Sequence, residues 1–417
     1  MVDKSPNRPR TVGFVDSAQI ASEISQPDPP TPVRSPFLRA RDGGAQETTT
    51  VELFFDLVYV FAITQLSHLV IDSGISLSSV GHAAFLLVVV WWAWIYSTWM
   101  VNWFDPTTPP VRLIVAAVGL VSLLMSAAIP HAFDSDAVLF ACAYVCMQVG
   151  RNTAAMLLLG SAEPLRPVFE RLVAWSLLSA PLWIAGAFVG GPARLALWGP
   201  ALVLDLIAPM VGYATPFLGR SLTSDWEVEG SHFADRFQAF VIIALGESIV
   251  ITGATASADG LSTHVVVALA LAFLVTGALW WLYFGEIAES SQRRIAESDD
   301  PGRLARDAYT YLHAPIVTGI IMVAVGDDLL IAGPGRALTA AGILMTVAGP
   351  AVYLAGEGLV RLRMVGRYSG KRLLAVLALG VLGIAGSGLP ALALSAGVAA
   401  ILVALAVAEY SPKVAAA

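Results

Sequence analysis

The sequence predicts an all-α fold: a polytopic transmembrane helix bundle of about twelve spans. Three observations carry this prediction. The 417 residues are 57% hydrophobic and only 13% charged, with a mean hydropathy of +0.72, whereas a soluble chain carries nearer a quarter charged residues. Apolar windows of roughly 20 residues, the length needed to cross a bilayer, recur from residue 51 almost to the C-terminus. Finally, the Lys and Arg residues between these windows alternate in density, as the positive-inside rule requires.

The first 46 residues differ in kind. Pro6, Pro9, Pro27, Pro29, Pro30, Pro32 and Pro36 interrupt them, and no apolar run reaches signal-peptide length. A disordered cytoplasmic tail is expected over 1–46. Spans are then expected near 51–71, 80–103, 110–130, 137–160, 168–189, 194–213, 234–255, 263–285, 304–325, 337–360, 371–388 and 391–408. The last two are separated only by SGLP at 387–390. With the N-terminus inside, Arg194 and Arg336 are the basic residues left outside, and Arg151 falls within a span. Both termini are therefore expected in the cytoplasm. Cys142 and Cys146, four apart on one helix, suggest neither a disulfide framework nor a zinc site and read as small packing residues.

A faint repeat divides the chain. ELFFDLVYVFAITQL from Glu52 can be laid on DRFQAFVIIALGESI from Asp235, so that Phe54 meets Phe237, Val58 meets Val241 and Thr64 meets Glu247. Two halves of six spans, 47–215 and 216–410, would be parallel repeats related about the membrane normal; chance similarity between apolar helices is the alternative.

Polar residues inside such spans are costly and point to function by default. On the first span Glu52, Asp56 and Tyr59 share one stripe, with Thr64 and His68 further round. Glu52 has two readings, because Thr49 and Glu52 also spell a capping box. Asp56, a turn deeper, caps nothing. Glu247, flanked by Gly246 and Ser248, lies near the middle of its span and reads as a titrating acid or as interhelical packing glue. Arg151 and Asp205 lie at similar depths and are expected to form an intramembrane ion pair, unless Arg151 snorkels to the surface. His313 sits deeper than Asp307, next to Pro315, as part of a pathway or as a hydrogen-bonding strut. Trp99, Trp103, Trp280, Trp281 and Tyr283 suggest an interfacial aromatic belt, whereas Trp91, Trp92 and Trp94 lie deeper.

The motifs TTVELFFDLVYVFAITQLSH, HFADRFQAFVIIALGESIV, WWLYF and YLHAPIVTGI together resemble the bacterial low-temperature-requirement A family, over about 40 to 400. Asp235 stands where the family usually has Glu, and Gly285–Glu286 stand where it usually has Asp after YF. The resemblance implies a multi-span inner-membrane protein associated with growth in the cold and names no reaction. A secondary transporter or permease is the favoured function, with Asp56, Glu247, His68, His313 and Glu52 on a substrate or proton pathway. Its partners would be the bilayer and a small molecule or protons, without nucleic acid, cofactor or metal. The alternatives are a membrane-embedded enzyme acting on a lipid or other hydrophobic molecule, for which no HExxH, P-loop or aspartate-rich motif appears, and a sensory or structural protein.

Overall fold

A computed structural model describes residues 35–41, 46–223, 226, 228–296 and 298–410, without the side chains of 259 and 286–296. The described chain is helical throughout, with isolated bridges but no sheet. Twelve helices follow one another: α1 Thr50–Asp72, α2 Leu77–Trp103, α3 Pro109–Ala127, α4 Ala137–Leu157, α5 Arg166–Ala187, α6 Pro192–Ile207, α7 Gly230–Asp259, α8 Thr263–Ala296, the interrupted α9 Pro301–Ala332, α10 Ala340–Val365, α11 Gly370–Ala385 and α12 Ala391–Glu409. Each overlaps one expected span. Nine are long and apolar enough to cross a membrane. The exceptions have simple causes. Helices α6 and α11 have 16 residues each, about 24 Å at 1.5 Å per residue. Helix α4 carries Gln148, Arg151 and Asn152.

Local sequence sets the ends. Thr49 and Glu52 form the capping box of α1, Ser76 and Ser79 form another on α2, and Gly366, at φ 74°, closes α10 in the left-handed region. The expected tail is not free over its last part. Arg39 N donates to the Trp103 carbonyl, and the Arg39 side chain is buried. Residues 1–34 lie outside the described residues.

In the first half α1 packs on α3, α3 on α4, α4 on α5 and α5 on α6. In the second α7 packs on α9, α9 on α10, α10 on α11 and α11 on α12. The tightest pair is α9–α10. A Cβ on Gly319 would lie 2.6 Å from Tyr353 N, and one on Gly349 would lie 2.8 Å from Val323 N. Gly326 and Gly356 repeat the close approach one heptad on, with Thr346 and Ile316 as neighbours. Small residues that let backbones meet are how helices associate without a hydrophobic drive between them. Cys142 and Cys146 face outward instead of packing inside.

Candidate functional site

A charged knot joins the starts of α1 and α7. Glu52 accepts from Arg39 Nη2 at 3.2 and 3.1 Å, and its Oε1 lies 2.6 Å from His232 Nε2. The tautomer of His232 follows from its other neighbour. The amide of Asn102 is oriented by the backbone of Glu229, which donates to its Oδ1 and accepts from its Nδ2. Asn102 Nδ2 therefore also donates to His232 Nδ1 at 3.0 Å, and Nε2 carries the hydrogen given to Glu52. One turn along, Arg236 Nη2 donates to Asp56 Oδ1 at 2.7 Å, beside a second bond from Trp94 Nε1 at 2.8 Å. Both side chains are fully buried, and Arg236 lies over the Trp94 ring, 5.7 Å from its centroid. A cavity of about 10 Å³, lined by Glu52, Ser97 and Arg236 among others, adjoins the knot; that is the size of one water molecule. Glu52 thus caps α1, as the capping-box reading expects, and it also ties α1 to α7.

Glu247 does not join this knot. It is buried on α7, with Oε1 unpartnered, and its polar neighbours on α1 are Thr64 and His68. Eleven residues separate Arg236 from Glu247, about 16 Å along a helix. Asp56, held at Arg236, therefore belongs to a different layer of the bundle, and the two acids do not converge. His68 is exposed and lies 3.8 Å from Asp72.

Arg151 and Asp205 do not form the expected pair. Arg151 is buried among Gln148, Asn152, Ser97 and the Ala93 carbonyl, so it does not snorkel either. Asp205 accepts from Tyr144 Oη at 2.9 Å and Trp183 Nε1 at 3.1 Å. The two are linked only through a relay, since Gln148 takes Arg151 at 2.6 Å and gives a longer bond to Tyr144 at 3.4 Å. Neutral groups, rather than a counter-charge, hold each side chain: amides, a hydroxyl and a carbonyl at Arg151, a phenol and an indole at Asp205.

Helix α9 is broken near its start. Its helical hydrogen bonding slips to the wider π pattern over Arg306–Tyr311 and restarts at Ala314–Ala332. Pro315, just beyond, has no N–H to offer. Side chains take the freed carbonyls: His313 Nδ1 donates to Ala308 at 2.8 Å, and Trp91 Nε1 to Thr310 at 2.8 Å. His313 Nε2 then accepts from Tyr283 Oη at 3.0 Å, which makes this histidine a strut across the break. Trp99 Nε1 donates to Thr310 Oγ1 at 3.0 Å. Beside Thr310 lies a cavity of about 30 Å³, walled by Trp92, Tyr96, Trp99, Trp103, Tyr213 and Trp226 together with Asn152 and Arg306. The indole N–H groups of Trp92 and Trp226 are buried without partners. Trp99, Trp103 and Tyr283 are therefore interior residues rather than a belt, whereas Trp280 and Trp281 are exposed as a belt requires.

The profile of the bacterial low temperature requirement A protein (LtrA) matches residues 47–407. The chain belongs to that family. A 321-residue stretch is 35% identical to an uncharacterized protein of Rhizobium meliloti (strain 1021), covering 77% of this chain and 78% of that protein. No solved structure matches.

Glu52, Asp56, His232, Arg236, Thr310 and His313 all lie inside the LtrA match; Arg39 precedes it. Sequence reading missed Arg39, placed in a free tail, and the roles of His232 and Trp94. It also missed Arg372, which pairs with Glu357 at 2.7 Å and Glu409 at 3.0 Å and knits α10, α11 and α12 together. One signal for the knot was present. Glu52 and Asp56 are four apart on α1, and His232 and Arg236 are four apart on α7, so the two acids and two bases match in register.

Proposed function

We propose that this LtrA-family protein is a secondary transporter or permease whose substrate site is the aromatic cavity beside the α9 break. The observation that carries this reading is the break itself. Irregular backbone at membrane depth is tolerated where it is buried in protein or lines a cavity, and transporters build their midplane sites from such discontinuous helices at the junction of two repeats. The cavity wall draws on α2, α4 and α5 from one half and on Arg306 and Thr310 from the other. A duplication of 47–215 and 216–410 is supported by the contact series α1–α3–α4–α5–α6, matched by α7–α9–α10–α11–α12, while the α8–α12 contact has no equally close equivalent in the first half. It is also supported by the two contacts of the knot, Glu52–His232 and Asp56–Arg236, which share a separation of 180 residues. A constant separation means that α1 and α7 run parallel, as parallel repeats of six helices demand. The substrate chemistry that fits is a small, largely apolar molecule bearing hydrogen-bond acceptors for the two free indole N–H groups. Glu247 is the group we assign to proton coupling. The inner membrane, with both termini cytoplasmic, is the setting the basic residues favour.

Thiol accessibility tests the reading without knowledge of the substrate. In a background with Cys142 and Cys146 replaced by alanine, Thr310→Cys should react with an impermeant thiol reagent both in intact cells and in inside-out vesicles, because a carrier opens its cavity to each side in turn. Reaction from neither side would leave a dry structural core and end the proposal.

A further inference from the structure

A second polar site lies in the other layer of the second half, away from the aromatic cavity. Asp327, on α9, is buried, and no Lys, Arg or His among the described residues pairs with it. Ser248 of α7 donates to its Oδ2 at 3.3 Å and lies 3.4 Å from Thr276 of α8. Asp327, Thr346 of α10 and Ser395 of α12 line a cavity of about 10 Å³ whose other walls are valines. Thr346 donates its own hydrogen to the Gly342 carbonyl at 3.0 Å, which leaves its oxygen lone pairs free. Ser395 Oγ is buried, at 2% residue exposure, and has no partner at all. An orphaned buried hydroxyl calls for an explanation, as does an uncompensated acid in the same space.

We propose that Asp327, Thr346 and Ser395 bind a monovalent cation of the size and hardness of Na⁺. The ligand set decides the class. All three donors are hard oxygens, and a single carboxylate balances a single positive charge. Calcium and magnesium sites ordinarily draw on more carboxylate charge or on substrate phosphates, and no group of three or more His, Cys, Asp and Glu residues assembles among the described residues. The cavity admits one water-sized guest. Ser248 and Thr276 act as positioning residues that hold the carboxylate. The ion would bridge α9, α10 and α12 at the level of Ser248, well away from the knot, and its binding requires nothing of the aromatic cavity.

The test is thermal unfolding and ²²Na⁺ binding of the purified full-length protein in micelles, with NaCl replaced isosmotically by choline chloride. Sodium should raise the unfolding midpoint of the wild type and bind saturably. Ser395→Ala, which removes only the orphaned hydroxyl, should weaken binding about tenfold, and Asp327→Asn should abolish it. Asp328→Asn alters the neighbouring acid that Thr255 holds at 2.6 Å and should leave binding unchanged. If sodium and choline act alike on the wild type, Asp327 holds at most a proton and the proposal fails. It fails equally if Ser395→Ala binds as the wild type does, or if Asp328→Asn loses as much binding as Asp327→Asn. Because binding is read in micelles, absence of transport would leave the result standing.

Discussion

At the scale of residues, the two conspicuous acids differ in what holds them. Asp56 Oδ1 takes a cation and an indole N–H while its Oδ2 has no partner; Glu247 has neighbouring polar groups and an unpartnered Oε1. Arg236→Ala should therefore cost about 3–5 kcal/mol of stability, the scale for stranding one partner of a buried pair. Asp56→Ala/Arg236→Ala should recover part of that loss, and additivity in the thermal-unfolding cycle would show that the contact carries no energy. The same cycle on Arg151 and Asp205 should be close to additive, because a Gln148–Tyr144 relay separates them. Glu247→Gln keeps shape but loses the proton. It should express normally while abolishing pH-dependent flux or complementation of cold growth, and full complementation would remove Glu247 from any proton path. Asp56 and Glu247 were legible as unusual because a carboxyl in an apolar window is conspicuous. Their partners were not, because hydropathy carries no information about which helix faces which.

At the scale of elements, hydropathy located all twelve helices, and it erred where burial was supplied by protein. The expected end of the ninth span, residue 325, falls just before Asp327 and Asp328, yet α9 continues to Ala332. An acid inside a bundle and an acid at a membrane surface look the same in sequence. The π turn was equally hidden, since its cause lies partly in α2, whose Trp91 and Trp99 claim Thr310. The α9–α10 seam yields a sharper prediction. Gly319→Ala places a methyl 2.6 Å from the Tyr353 backbone and should lower stability by about 1–3 kcal/mol through overpacking. Gly277→Ala on α8 meets nothing within 4 Å and should be neutral, or stabilising by up to about 1 kcal/mol from helix propensity. Equal effects in a thermal melt would mean that the seam is slack.

For the whole molecule, sidedness follows from where basic residues gather. In the cysteine-free background, Leu261→Cys should label in intact cells, and Phe217→Cys, also exposed, should label only after permeabilisation; the reverse pattern would invert the topology. The knot between α1 and α7 has a consequence for biosynthesis. Its two contacts join residues 180 positions apart, and a ribosome adds about 5–20 residues per second. Helix α1 must then wait on the order of 10–40 s in the membrane before His232 and Arg236 emerge. During that interval Asp56 lacks its cation, while Arg39, made before α1 and anchored by the Val101 and Trp103 carbonyls, can reach Glu52 as soon as α2 is complete. A nascent chain stalled after residue 215 should therefore stay open to proteolysis and chaperone capture, whereas one stalled beyond α7 should gain resistance in a single step.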